Sequence, residues 1–140
     1  MIDYSKLRAA LVNLERQWEN LEGSRDRDEI SELDLEALQE SVIKRFDLAL
    51  EMSWKLLVKY LVEEVGLADV PNGPKPILRL ADGNNLLNGR IEAWLSYVQA
   101  RNASSHDYSG AKAGQTLAVV SDFLGDAIWL YEKMSRQKWN

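Results

Sequence analysis

A helical pattern that continues for about thirty residues is the feature that most restricts the fold of this chain. Between Asp34 and Val65, apolar side chains recur every three or four positions, as on one face of an α-helix. Gly66 then supplies a helix stop. At 1.5 Å per residue this helix would be roughly 48 Å long, so we expect one end to project towards a partner. The main stripe is Leu35, Leu38, Val42, Phe46, Leu50, Trp54, Leu57 and Leu61.

The remaining segments carry helical patterns, and none has the alternating pattern of a strand. Residues 4–22, 90–103 and 111–136 are predicted to form long helices. A short helix is expected to begin near Pro76, because proline fits a first helical turn. The prediction is an all-α protein: a single domain over residues 1–140, built as an antiparallel up-and-down four-helix bundle with a short extra helix.

Composition excludes several classes of function. The chain has no cysteine, which excludes disulfides, thiolate metal sites and cysteine nucleophiles, and a single histidine cannot build a zinc site of the histidine type. The net charge is −5, and residues 1–40 hold 11 acidic and 5 basic side chains, so no basic stripe for general nucleic-acid binding is visible. Any RNA contact must therefore be local. Neither a signal peptide nor a membrane span is recognisable, and we expect a cytoplasmic protein without a membrane partner.

The stretch YVQARNASSHDYSG, residues 97–110, contains the candidate catalytic groups. His106 can accept or donate a proton near neutral pH. Arg101 offers a permanently charged fork for phosphate, and Asn102 can orient either group. A base that takes the 2′-hydroxyl proton and a cation that stabilises charge on phosphorus can cleave RNA without a metal. The spacing taken alone occurs by chance in many proteins, and a single histidine at a helix end is often only a cap.

Two motifs in this order resemble one known superfamily. RNASSHDY is similar to the R-x4-H-x-Y signature of HEPN domains. The upstream segment IKRFDLALEMSWKLLVKYLVEEVG resembles the long second helix of the branch of nucleotidyltransferase substrate-binding proteins. In that branch a phenylalanine, a glutamate and a Trp-Lys pair occur at the spacing of Phe46, Glu51, Trp54 and Lys55. The resemblance covers residues 4–135.

The resemblance implies a homodimeric HEPN-like helical domain that binds a minimal nucleotidyltransferase encoded nearby. In one interpretation the chain is a metal-independent ribonuclease toxin, with Arg101 and His106 as the catalytic pair and Asn102 as a supporting polar residue. The nucleotidyltransferase then neutralises it by adenylylating Tyr108. In the alternative, the chain is a non-catalytic substrate-binding subunit of a two-component nucleotidyltransferase. A plain helical interaction module, in which the motif is incidental, is the third hypothesis.

Two acidic residues are assigned supporting roles. Asp107 is expected either to orient the His106 ring or to raise its pKa. Glu51 has two interpretations, because it either pairs with an arginine across the bundle or is a solvated helix acid. The chain lacks the spaced carboxylates of a nucleotidyltransferase and the phosphate loop G-x4-GK[ST], so it is not expected to transfer nucleotides itself. No cofactor and no metal is predicted.

The bulky apolar residues bear on assembly. Apolar side chains on more than one side of the long helix predict a face buried between two subunits; these are Ile43, Leu50, Trp54, Val58, Leu61 and Val65. Trp54 and Trp94 are predicted in the core, and Trp18 in the core or at a dimer surface. Trp139 is predicted to be exposed or to dock on another subunit.

Overall fold

The computed structural model describes residues 1–24, 27, 30–104 and 110–140, with side chains described for all of these except 103, 104 and 110–112. Within this part of the chain there are five α-helices and no strand, so the all-α prediction is confirmed. Each observed boundary lies within two residues of the predicted one. No described helix has the length and apolar character needed to cross a membrane. The helices are α1 (Ser5–Ser24), α2 (Glu32–Glu63), α3 (Pro74–Gly83), α4 (Ile91–Ser104) and α5 (Gly110–Ser135).

Local signals determine where α2 and α3 begin and end. The Ser31 hydroxyl accepts a hydrogen bond from the backbone N–H of Asp34 at 3.1 Å, so α2 begins earlier than the apolar stripe alone predicts. Leu33 in this first turn is 76% exposed, so the N-terminal end of α2 presents an apolar side chain to solvent. Gly66 follows α2 with a φ of 87°, in the left-handed region that favours glycine. Pro74 occupies the first turn of α3, where proline is well tolerated.

The long helices α1, α2, α4 and α5 run up and down, and α3 packs against α2 and α4. Tyr4, just before α1, lies near Glu64 at the end of α2, and burial together with this carboxylate raises the pKa of Tyr4 to about 12. Arg8 in α1 contacts Trp139, which follows α5. The start of α1 is therefore close to the ends of both α2 and α5, as the predicted antiparallel bundle requires.

Four buried aromatic rings join α2, α4 and α5. Phe123 of α5 lies at the centre of the group, with ring centroids 5.0 Å from Phe46, 5.4 Å from Tyr97 and 5.8 Å from Trp94. All three contacts are edge-to-face, the arrangement that aromatic rings prefer. The prediction of Trp94 in the core is confirmed. This cluster lies under the part of α4 that leads to the candidate site.

Two predictions about α2 are wrong. Trp54 is half-buried and is not among the side chains that pack on the core. Ile43, Leu50 and Leu61, which were expected to face a second subunit, are buried in the core of their own chain. The reason is that α2 packs against α1, α3, α4 and α5, so apolar residues on several of its sides are used within one chain. The homodimer stays a prediction.

Trp139 is half-buried against its own chain, so its predicted exposure is wrong. Its docking on another subunit stays a prediction. The Arg8 guanidinium carbon lies 4.6 Å from the Trp139 ring centroid, and Arg8 Nη2 donates to the Trp139 carbonyl at 3.1 Å. Tyr131 meets the indole edge-to-face at 5.7 Å. The start of α1 and the end of α5 are neighbours only in the folded chain, which is why sequence analysis missed this partner. Trp18 packs against the core as a half-buried side chain.

Candidate functional site

The candidate site begins at the C-terminal end of α4. Arg101 and Asn102 occupy the last turn of this helix, where a positive side chain interacts favourably with the helix dipole. The buried hydroxyl of Thr116 in α5 donates to the Ala100 carbonyl at 3.3 Å. This bond connects the end of α4 to α5. The Asn102 side chain is exposed, so it is accessible to a ligand.

Three of the predicted site residues, His106, Asp107 and Tyr108, lie outside the described residues. They belong to the connection of five residues between α4 and α5. Their roles therefore stay predictions.

Glu51 of α2 lies between two cations. Its Oε2 is 3.7 Å from Arg101 Nη2, and its Oε1 is 3.1 Å from Lys55 Nζ. Of the two interpretations of Glu51, the ion pair with an arginine across the bundle is the one observed, and the arginine is Arg101. The side chains of Arg101 and Glu51 are 35% and 36% exposed, so the pair is screened by solvent and contributes only about 0–1 kcal/mol to stability. The pair places the Arg101 guanidinium beside α2.

Asp47, one turn before Glu51 on α2, is a site residue that sequence analysis did not identify. Its Oδ1 is buried and accepts no hydrogen bond from any described residue. Burial raises the pKa of Asp47 to about 6, Arg101 opposes this increase, and Glu51 adds to it. The spacing of four residues on a predicted helix was the available signal, because it places both carboxylates on one face. Arg101 therefore faces two acids of α2.

The Asp47→Asn variant is expected to be more stable than the wild type above pH 6. Because the pKa of Asp47 is raised from 3.8 to about 6, the folded chain retains a proton that the unfolded chain loses in this interval. The free energy of unfolding therefore falls as the pH rises through the interval, and the penalty is complete above it. A shift of this size corresponds to at most roughly 3 kcal/mol.

Urea unfolding at about pH 4, 5 and 7.5 measures this effect. The stabilisation by Asp47→Asn should be small at the lowest pH and largest at the highest. Asp122→Asn, at an exposed position of α5, is the matched control and should change stability little at any pH. A stabilisation by Asp47→Asn that is the same at all three values would contradict the burial of this charge.

A second polar cluster connects α4 to α5 at the other end of α4. Asp126 of α5 accepts hydrogen bonds from Arg90 Nε at 2.5 Å and from the Tyr97 hydroxyl. Burial and the bond to Asp126 raise the pKa of Tyr97, so its hydroxyl stays protonated and donates. With Thr116, this cluster holds α4 at two places along α5. Sequence analysis missed it because its members lie far apart in the chain and have no local pattern.

The described part of the site supplies phosphate-binding chemistry. Arg101 offers several N–H donors in the last turn of α4 and pairs with Glu51 of α2. Among the described residues, no group of three or more histidine, cysteine or acidic side chains could hold a metal ion. The proton acceptor that RNA cleavage needs would have to come from His106.

Comparisons with known proteins agree with this architecture. The solved structure of HI0074 from Haemophilus influenzae, described as the fold of a substrate binding domain of a nucleotidyltransferase, is similar with a TM-score of 0.85 and 28% identity. The similarity covers 96% of this chain and all of that one. A structure from Thermus thermophilus has a TM-score of 0.65 at 24% identity, covers 86% and 98% of the two chains, and supports the fold alone.

Sequence comparisons identify the family. "Probable ribonuclease HepT" from Haemophilus influenzae is 31% identical over 97 residues, which are 68% of this chain and 66% of that protein, just under two thirds. Residues 2–136 match the family described as nucleotidyltransferase substrate binding protein like. This chain therefore belongs to the nucleotidyltransferase substrate-binding protein family, in its HepT-like branch.

Proposed function

We propose that this chain is a metal-independent endoribonuclease whose site consists of Arg101, His106 and Asn102. The observation that carries the proposal is the position of Arg101, which is half-buried at the end of α4 and pairs with Glu51 across the bundle. In the sequence, His106 follows Arg101 in the connection between α4 and α5. The similarity to a protein named as a probable ribonuclease supports the same activity.

In the proposed reaction, His106 removes the proton from a 2′-hydroxyl group of RNA. The 2′-oxygen then forms a bond to the adjacent phosphorus, and the bond from phosphorus to the 5′-oxygen breaks. The products are a 2′,3′-cyclic phosphate and a 5′-hydroxyl group, to which the proton is returned. Arg101 stabilises the negative charge that develops on the phosphoryl oxygens, and Asn102 orients the phosphate or the histidine. In a homodimer, two Arg101–His106 pairs would form one composite cleft.

A minimal nucleotidyltransferase is the proposed partner and regulator of this activity. It would transfer an adenylyl group to the Tyr108 hydroxyl and thereby neutralise a toxic ribonuclease. The added phosphate would compete with RNA for Arg101, and the added nucleoside would occlude His106, which is two residues away. Asp107, between these two residues, would orient His106.

The alternative function is a non-catalytic subunit that presents substrate to the nucleotidyltransferase. The net charge of −5 favours it, because an RNA-cleaving surface usually carries an excess of basic side chains. The description of HI0074 as a substrate binding domain is consistent with it.

RNA cleavage in excess chelator by the purified, unmodified chain tests the proposed function. We expect cleavage without metal, and we expect it to be lost after incubation with the nucleotidyltransferase and ATP. The Tyr108→Phe variant lacks the acceptor hydroxyl, so it should stay active after the same incubation. Absence of cleavage by the folded wild type would eliminate the ribonuclease and leave the substrate-binding subunit.

A further inference from the structure

A row of side chains leads from Arg101, at the end of α4, onto α2. This row has a second use that the proposed catalytic site does not include. Arg101 contacts Glu51, Glu51 contacts Lys55, and Lys55 Nζ lies 5.9 Å from the centroid of the Trp54 ring. These four residues form a continuous row of contacts from the end of α4 onto α2.

Trp54, in the middle of a bundle helix, is a large side chain that the core does not use. Trp54 follows Glu51 by three residues, so the two side chains share a helix face. The Trp54 side chain is half-buried and does not pack on the core. A large aromatic ring that contributes little to the core is free to contribute its faces to a ligand. Nucleobases of single-stranded nucleic acids stack on such rings whatever their sequence.

Lys55 supplies the charge that such a ligand needs. Its side chain is 60% exposed, so its contacts with Glu51 and Trp54 are both at the surface and weak enough to be exchanged. One helical turn, about 5 Å, separates the Lys55 and Trp54 positions from Glu51 and its partner Arg101. A strand with one phosphate at Arg101 can therefore reach this turn of α2 with an adjacent nucleotide.

We infer that Trp54 and Lys55 form a nucleotide-binding subsite beside Arg101, in which the indole stacks on a base and the ammonium group contacts a neighbouring phosphate. The ligand is single-stranded RNA, so the inference rests on the proposed ribonuclease function and names how its substrate is held. Glu51 lies between the two cations, 3.7 Å from Arg101 Nη2 and 3.1 Å from Lys55 Nζ. The subsite compensates locally for the absence of a basic stripe.

Binding of a short fluorescein-labelled 2′-O-methyl oligonucleotide tests the inference, because this probe cannot be cleaved. Fluorescence anisotropy of the full-length chain should show a Kd about 5- to 150-fold higher for Trp54→Ala than for the wild type. Trp54→Phe keeps an aromatic face and should retain most of the affinity. Lys55→Ala should reduce the slope of log Kd against log salt concentration by about 0.7, the value for one phosphate contact of a single strand.

Trp129→Ala is the matched control, because Trp129 is also half-buried but lies on α5. It should leave the Kd unchanged. A wild-type chain that does not bind the probe, or a Trp54→Ala variant that binds it as the wild type does, would overturn the inference. A Trp54→Ala variant that binds the probe as the wild type does, but no longer binds the nucleotidyltransferase, would assign this face of α2 to the protein partner instead.

Failure of the proposed function is distinguishable from failure of the subsite. Binding that depends on Trp54 in a wild type that cleaves no RNA would keep the subsite and reject the nuclease. Cleavage that depends on Arg101 without any contribution from Trp54 would keep the nuclease and reject the subsite.

Discussion

Replacing Arg101 by alanine is expected to lower kcat/KM for metal-independent RNA cleavage by about 100- to 1,000-fold. The Arg101 guanidinium lies at the end of α4, where it pairs with Glu51 across the bundle. His106→Ala should cause a loss of similar size, because the chain contains no other histidine that could take the proton near neutral pH. Initial rates on a labelled RNA in excess chelator measure both effects.

The controls for this prediction separate catalysis from stability. Arg101→Lys keeps the charge but loses the planar fork, so it should recover only part of the activity. Arg16→Ala removes an exposed arginine of α1 and should leave cleavage unchanged. Thermal unfolding of Arg101→Ala should stay close to that of the wild type, since a screened pair contributes little. Cleavage that survives both Arg101→Ala and His106→Ala would indicate a contaminating nuclease or a different site.

Phe123→Ala is expected to lower the free energy of unfolding by about 3–5 kcal/mol. Phe123 is fully buried, and its ring touches the rings of Phe46, Trp94 and Tyr97, so truncation leaves a cavity between α2, α4 and α5. Chemical denaturation at neutral pH measures the loss. The cavity lies beside α4, which carries Arg101. We therefore also expect the Phe123→Ala variant to lose RNA cleavage at temperatures below its own melting point, where the chain is still folded.

Two variants bracket this effect. Phe123→Leu retains most of the apolar volume and should cost clearly less than the alanine substitution. Leu48→Ala removes a large side chain from an exposed position of α2 and should change stability by only a few tenths of a kcal/mol. A loss below about 1 kcal/mol for Phe123→Ala would mean that the four-ring cluster does not organise the bundle.

Sequence analysis predicted the helices well because their signals are local. The apolar spacing of α2, the stop at Gly66 and the proline that opens α3 all act within one or two turns, where no distant contact competes. The placement of Arg101 at the end of α4 followed from the same reasoning. Helix α2 begins two residues before the predicted Asp34 because the capping bond of Ser31 extends it, and it ends at Glu63, two residues before the predicted Val65.

The failures concern residues whose environment depends on several helices at once. Trp54 lies on the predicted apolar stripe, but its neighbours Leu50, Ser53 and Leu57 are the buried side chains in this part of α2, and the indole is left half-buried. Ile43 and Leu61 were predicted at a dimer surface and are buried within the chain, because periodicity reports that a face is apolar and not which surface covers it.

By itself, the sequence determined that the chain is a helical bundle, where its helices lie and which motif carries the candidate chemistry, since these depend on short-range spacing and residue type. Only the tertiary structure decided that Glu51 faces Arg101, that the Oδ1 of Asp47 is buried beside them and that Asp126 connects α4 to α5. Burial and charge pairing are properties of surfaces brought together from distant parts of the chain. Their strength changes steeply over a few ångströms, a scale that the order of residues does not specify.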